Sequence, residues 1–267
     1  MHQTADMLEL FEQAALAAGR VILDIYRAGH DVRLKSDASP VTQADEAAER
    51  LILEALARAL PDIPVVAEEE VAAGRIPDIT GGRFILVDPL DGTREFIGGY
   101  DDFTVNIALI EKGAPVLGVV HAPALGTMYV GGSDRAERLE VDAADRVAAR
   151  QPIAVRSKHA TPSALVSRSH NCDATDAYMR KAEIMERKAV GSSLKFCLIA
   201  EGEADIYPRF GPTMEWDTAA GDAVLRAAGG MVTTEDGAPL TYGKRLPGLR
   251  AFENPPFLAS GGPPERG

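Results

Sequence analysis

Four apolar residues, Phe84-Ile85-Leu86-Val87, run directly into Asp88-Pro89-Leu90-Asp91-Gly92-Thr93. A short bulky run bounded by Pro and Gly reads as a buried strand, and this one delivers a carboxylate to its carboxyl end. Pro89 lacks a ladder donor and is expected to break the strand. Asp91, three residues beyond Asp88, is then within reach of it through a turn. A fold that buries this strand must also accommodate two neighbouring carboxylates. Magnesium, held by a few carboxylates together with phosphate oxygens and water, suits such a point. Gly92 and Thr93 add N–H groups and a hydroxyl where a phosphate oxyanion could rest. A turn closed by an Asp cap explains the same residues without a ligand.

Helices and strands alternate around this segment without an internal repeat. Met7, Phe11, Ala14, Ala15, Ala18, Ile22 and Ile25 recur at three- and four-residue steps, which predicts an amphipathic helix. A second helix is predicted over 42–60, with Thr42 at its N-cap. Strands are predicted over Ile63–Ala67, Phe84–Asp88 and Phe103–Ile110. The last turns through Glu111, Lys112, Gly113 and Ala114 into Pro115–His121 as a hairpin, so an antiparallel sheet is expected in the first half. From Gly131 to Gln151, through Asp134, Arg135, Glu137 and Arg138, the chain becomes charged and poor in large apolar residues. Its end is taken as the boundary between an N-terminal α+β half, residues 1–150, and a C-terminal α/β half, residues 151–267. Beyond it, strands near Ile153–Val155 and Ala164–Ser167 and helices near Asp173–Lys181, Ser192–Glu201 and Asp217–Ala228 suggest α/β layers. The Pro/Gly-rich tail from Asn254 is expected to be poorly ordered at its end.

The charge balance removes several function classes. Against 28 Lys and Arg stand 40 Asp and Glu, a formal charge of −12, so general attraction to nucleic-acid polymers or anionic membranes is disfavoured. An anionic substrate would need locally placed cations. Cys172 and Cys197 form no metal or redox motif and suggest buried thiols in a reducing compartment. The acidic start and the lack of a long apolar run point away from a signal peptide or membrane insertion and toward the cytoplasm.

Other carboxylates admit two readings each. Glu68, Glu69 and Glu70 follow a strand end, where three adjacent like charges repel unless water or a cation screens them; acidic runs are also common on solvated surfaces. Asp217, after the single tryptophan Trp216, fits a helix N-cap. Asp45, three residues after Thr42, fits a capping box.

Four segments, Ser39-Pro40-Val41-Thr42 to Asp45, Ala67-Glu68-Glu69, Asp88-Pro89-Leu90-Asp91-Gly92-Thr93 and Trp216-Asp217-Thr218-Ala219-Ala220-Gly221, resemble the inositol monophosphatase superfamily in order and spacing. The likeness covers about residues 5–258. Ser167-Arg168-Ser169-His170, Gly191-Ser192-Ser193-Leu194-Lys195-Phe196 and Tyr207-Pro208-Arg209-Phe210-Gly211-Pro212 are similar to its bacterial 3′(2′),5′-bisphosphate nucleotidase branch. The resemblance implies a layered αβαβα fold, of α/β class, with the active site between the halves. It implies two or three Mg2+ ions held by Glu68, Asp88, the Leu90 carbonyl, Asp91 and Asp217. Glu69 would reach water on the metal, and Asp45 with Thr93 would orient the attacking water. Lithium sensitivity is a frequent family trait.

By the same resemblance, Gly92 and Thr93 meet the reacting phosphate, while Ser167, His170, Gly191 and Lys195 line the nucleotide side. Lys195 and His170 would supply the cationic or hydrogen-bonding groups for a second phosphate. Lys195 also fits an exposed helix position, and His170, beside Asn171, fits a turn. Phe210 stands seven positions before Trp216-Asp217, where inositol monophosphatases carry an acidic residue, and an aromatic ring cannot accept inositol hydroxyls. The expected activity is removal of the 3′-phosphate of adenosine 3′,5′-bisphosphate, or of 3′-phosphoadenylyl sulfate. The alternatives are an inositol or sugar phosphate phosphatase and a catalytically silent regulator. The expected partner is a small phosphorylated molecule, with homodimer formation left open.

Overall fold

The computed structural model describes residues 2–29, 32–34, 40–132, 135–157, 161–170 and 172–262. Ser39, Asp134 and Asn171 lie outside them. Helix α1 (His2–Ala28) buries Phe11, Ala15, Ala18 and Ile22, the predicted stripe. Strands β1 (Val32–Leu34) and β2 (Pro40–Thr42) form a two-stranded antiparallel ladder that leads into α2 (Gln43–Ala59). A seven-stranded sheet follows in chain order: β3 (Val65–Ala67), β4 (Arg83–Asp91), β5 (Thr104–Glu111), β6 (Ala114–Ala122), β7 (Thr127–Gly132), β8 (Arg135–Val141) and β9 (Val147–Ile153). Only β3 and β4 are parallel. Two short helices, α3 (Glu68–Ala72) and α4 (Thr93–Ile97), spring from the ends of β3 and β4.

The charged stretch expected to precede a boundary is therefore the outer part of this sheet. Ile153 ends β9, so no new strand opens over Ile153–Val155. The remainder supplies β10 (Ser163–Ser167), α5 (Asp173–Lys181), β11 (Glu186–Val190), α6 (Leu194–Ala200), β12 (Ile206–Arg209), α7 (Ala219–Ala227), β13 (Met231–Thr234) and β14 (Phe257–Ser260). These five strands lie in the order β11-β10-β12-β14-β13. The tail thus contributes an interior strand, because β14 pairs with both β12 and β13; residues 263–267 lie outside the described residues.

Both faces of the larger sheet are covered, which is why its inner strands read as continuous apolar runs rather than alternating ones. Ile85, Val87, Val105 and Ile107 pack with α1 and α2. Their neighbours Phe84, Leu86, Ala108 and Ile110 face the core shared with α6, α7 and the second sheet. Met179 of α5 covers the far side with Ala164 and Ile206. The layers are α1/α2, sheet, α6/α7, sheet, α5, an αβαβα arrangement. The approach of α7 to the first sheet depends on Gly131, where a Cβ would lie 2.4 Å from Val224 Cα. Among the described residues, no helix is long and apolar enough to cross a membrane.

His121 of β6 is buried, with Nδ1 3.2 Å from the Thr127 carbonyl. Burial lowers its pKa from 6.5 to about 4, so the folded chain favours the neutral ring. This contribution is intact above pH 6.5 and lost as pH falls toward 4, a cost of about 3 kcal/mol. Urea titrations across that range should show an acid slope that is about one proton smaller in His121→Gln than in the parent.

Candidate active site

Strand β4 carries Asp88 and Asp91 to one end of the first sheet, but Pro89 does not end the strand. The ladder shifts between Asp88 and Asp91 and resumes at the Asp91–Thr104 pair. Asp88 Oδ1 accepts the Leu90 N–H at 3.0 Å, a local bond that holds the irregular backbone. Gly92 follows at φ 90°, a left-handed conformation that glycine adopts without strain, and starts α4 at Thr93.

At the head of α2, Thr42 and Asp45 form the expected capping box. Asp45 Oδ2 accepts from the Thr42 N–H and hydroxyl, both at 2.7 Å. Its other oxygen, Oδ1, lies 3.2 Å from the Thr93 hydroxyl, which is equally close to the Leu90 carbonyl. One buried carboxylate therefore caps a helix and accepts from a side chain 48 residues away. Glu49, one turn further along α2, accepts the Glu69 N–H at 2.8 Å and so fixes the first turn of α3. Burial, with the charges of Glu69, Glu70 and Glu68, pushes Glu49 up to about 7.

Asp217 is not a helix cap. Thr218 occupies that position, and Asp217 Oδ2 turns back to accept the Met214 N–H at 2.8 Å. The turn is held from beneath by Glu215, which is 0% exposed and bonded to the Gly243 N–H at 2.6 Å and Lys244 Nζ at 2.9 Å. Lys244 also donates to Asn254, whose amide reaches the Met214 carbonyl and the Thr218 hydroxyl.

Glu68, Asp88, Leu90, Asp91 and Asp217 line one groove of about 210 Å3 with Gly92, Thr93, Ser167, His170 and Lys195. Three anticipated residues are absent from its wall. Asp45 stands behind Thr93; Glu69 lies beside the groove; Gly191 directs its N–H to Asp102 at 2.6 Å. Lys195 is 3% exposed, in contrast to an exposed helix position. Its ammonium donates to the Val190 and Ser192 carbonyls and lies 5.0 Å from the Tyr207 ring centroid. Burial lowers it to about 8. His170 is lowered to about 4, by burial first and then by Arg209 and Arg94. Near pH 7 this favours the neutral imidazole, the hydrogen-bonding one of the two options. Phe210 packs on Tyr178 and is not part of the groove.

Some groove residues carried no role in the sequence. Arg209 lay in a quoted motif. It is buried, gives its two Nη groups to the His170 and Pro212 carbonyls, and leaves Nε without an acceptor. Ser193, outside the groove lining, lies 2.7 Å from Asp91 Oδ2 and 2.5 Å from the Asp217 carbonyl and accepts from Asn106. Arg94 and Glu95 had only their position after Thr93 to mark them.

The acidic end of the groove fits a hard cation. Burial raises the Asp217 pKa well above the ordinary carboxylate range, and the charges of Asp91 and Glu68 raise it further. Burial raises Asp91 too, against Lys195 and the Ser193 hydroxyl. Facing buried carboxylates are relieved by a positive ion, and every donor here is an oxygen. Among the described residues, no three acidic, imidazole or thiol groups form a ready-made metal cage.

The inositol monophosphatase family model matches residues 3–256. The chain belongs to the inositol monophosphatase family. Within it, the chain is 46% identical over 253 residues to the 3′(2′),5′-bisphosphate nucleotidase CysQ of Salmonella typhimurium, covering 94% of this chain and 98% of that protein. It is 43% identical over 256 residues to CysQ of Escherichia coli K12, with 95% and 99% covered. Among solved structures of this inositol monophosphatase fold, CysQ from Bacteroides thetaiotaomicron superimposes with a TM-score of 0.74 at 35% identity, covering 92% and 94% of the two chains. The Thermotoga maritima IMPase gives 0.76 at 25% identity, covering 96% and 92%.

The support beneath Asp217 is testable. Lys244→Met leaves Glu215 as an uncompensated buried charge and should destabilise the chain by about 3–5 kcal/mol in urea unfolding. Adding Glu215→Gln should recover much of the loss; equal stability of parent and Lys244→Met would show that the pair carries no such strain.

Proposed function

We propose that the chain is a magnesium-dependent nucleotidase that removes the 3′-phosphate of adenosine 3′,5′-bisphosphate, and of 3′-phosphoadenylyl sulfate. The carrying observation is the polarity of one groove. Carboxylates Glu68, Asp88, Asp91 and Asp217 and the cations Arg94, Lys195 and Arg209 line it together, a division of charge between two kinds of group. A substrate with one anionic group to be cleaved and a second to be held matches that division. The names of the CysQ relatives support the same reading.

Glu68, Asp88, the Leu90 carbonyl, Asp91 and Asp217 would hold magnesium. When bound, it supplies Lewis-acid neutralisation of the phosphoryl oxygens and acidifies water. The protein residues do the rest. The Thr93 hydroxyl turns its proton toward Asp45 Oδ1 and offers a lone pair to the attacking water. Asp45 is kept in line by the Thr42 N–H and hydroxyl, so it accepts without rotating. Glu69 is assigned to the water side of the acidic end. Ser167 and neutral His170 bond the nucleoside, while Lys195 and Gly191 shape the loop beneath it. In this reading residues 1–150 hold most of the metal ligands, and residues 151–267 hold the nucleotide.

Paired assays should give a higher kcat/KM for adenosine 3′,5′-bisphosphate than for inositol 1-phosphate, with activity lost to a chelator and restored by magnesium. The reverse order would favour a sugar phosphate phosphatase. Lithium should inhibit at concentrations where sodium does not. Asp45→Asn should lower kcat and kcat/KM together by about 10²-fold or more, because its part is played as the bond breaks. Asp91→Asn should raise the magnesium concentration needed for half-maximal rate, and unchanged turnover at low magnesium would remove Asp91 from the ligand set.

A further inference from the structure

The groove's cations differ in what they already touch. Lys195 is tied to two backbone carbonyls, and both Nη groups of Arg209 are tied to carbonyls as well. Each is buried and fixed, so each shapes the wall before any substrate arrives. Arg94 differs. It stands on the first turn of α4, directly after Thr93, lines the groove and is exposed. Among the described residues its guanidinium has no hydrogen-bond acceptor and no carboxylate within 4.0 Å, although the groove wall is rich in Asp and Glu.

An unpaired guanidinium in an acidic groove is expected to fold onto a carboxylate unless its reach points elsewhere. Its charge is felt at His170, on the nucleotide side, where it joins Arg209 in opposing protonation of the ring. The guanidinium fork binds a tetrahedral oxyanion through two parallel N–H donors, a geometry that an ammonium committed to two carbonyls cannot supply.

We propose that Arg94 is the specificity residue for the second, non-reacting anion of the substrate, a terminal phosphate or sulfate, and that Lys195 chiefly positions the 190–193 loop. The assignment rests on the nucleotidase reading above. Arg94 is adjacent in sequence to Thr93, so one short helix carries both the water-orienting hydroxyl and the group that reads the far end of the substrate. Its solvent exposure leaves it free to close on the anion at entry.

The test compares kcat/KM for adenosine 3′,5′-bisphosphate with that for adenosine 3′-phosphate, which lacks the second anion. In Arg94→Ala the ratio should fall by about 10- to 150-fold, the range for a hydrogen bond to a charged group, mainly through KM of the bisphosphate. Arg94→Lys should recover part of the ratio. The parent's KM for the bisphosphate should also rise more steeply with salt than the variant's, because an exposed guanidinium is screened. A parent that prefers the bisphosphate while Arg94→Ala keeps the same ratio would overturn the assignment and leave the nucleotidase reading standing. An equal loss on both substrates would overturn it too, by assigning Arg94 to the support of Thr93. A parent with no preference between the substrates would overturn the nucleotidase reading itself, and this assignment with it.

Discussion

The Ser193 hydroxyl is the point on which the molecule turns. It lies against the Asp91 carboxylate from β4 and the Asp217 carbonyl before α7, and accepts from Asn106 of β5. The Asp91 side chain and the Asp217 backbone are thereby tied together at the junction of separate elements. Buried like charges are tolerated only where hydrogen bonds and counter-charge compensate the lost hydration. The surrounding architecture supplies that compensation. Gly191 is anchored to Asp102, Lys195 fills the space behind Asp91 with positive charge, and Glu215 with Lys244 and Asn254 fixes the turn that presents Asp217.

The same junction sets the span between the two ends of the groove. Asp102 accepts from Arg168 at 2.7 Å, and Glu95 accepts from Ser169 at 2.6 Å. These bonds tie the segment after β4 to the loop after β10. Arg168 also lies 4.6 Å from the Tyr100 ring centroid, which braces the contact. In the nucleotidase reading, a substrate held at both ends is discriminated by length only if the two sides of the groove keep their separation. The bonds of Asp102 and Glu95 provide that rigidity.

Much of this was legible in the sequence wherever one residue type had one physical use. The α1 stripe, the β5–β6 hairpin and the capping box at Thr42 follow from local periodicity and spacing. The layered fold and the convergence of Asp88, Asp91 and Asp217 followed only from the family resemblance. What escaped did so because context altered the cost of a side chain. Strand β11 reads Glu-Arg-Lys-Ala-Val; as an edge strand it leaves its charged residues exposed, so it carries no apolar signal. β14 sits in a Pro/Gly-rich tail yet lies inside the second sheet. Asp217 matched a cap by position, but its turn is set by bonds to Met214 and by Glu215, which no local pattern encodes. Lys195 fitted an exposed helix position until the Val190 and Ser192 carbonyls gave its ammonium buried acceptors.

Burial also decides which groups can carry charge to an anion. Partial burial and the charges of Arg209 and Arg94 favour the neutral His170 ring near pH 7. Lys195, lowered to about 8, begins to lose its proton just above neutrality. A guanidinium is a permanent cation that presents its donors in a fixed fork. Positive charge near His170 therefore rests on Arg209, fixed in the wall, and on Arg94, whose guanidinium has no hydrogen-bond partner among the described residues. A groove built in this way keeps its attraction for a second anion as pH rises, while the neutral imidazole beside it remains available to accept or donate a hydrogen bond. The acidic end behaves in the opposite sense: burial raises Asp91 and Asp217, Glu95 adding to the first and Asp91 with Glu68 to the second, so a bound cation would favour their full negative charge. Charge at one end is permanent and at the other conditional, which ties occupation of the acidic end to the arrival of the ion and leaves the nucleotide end ready beforehand.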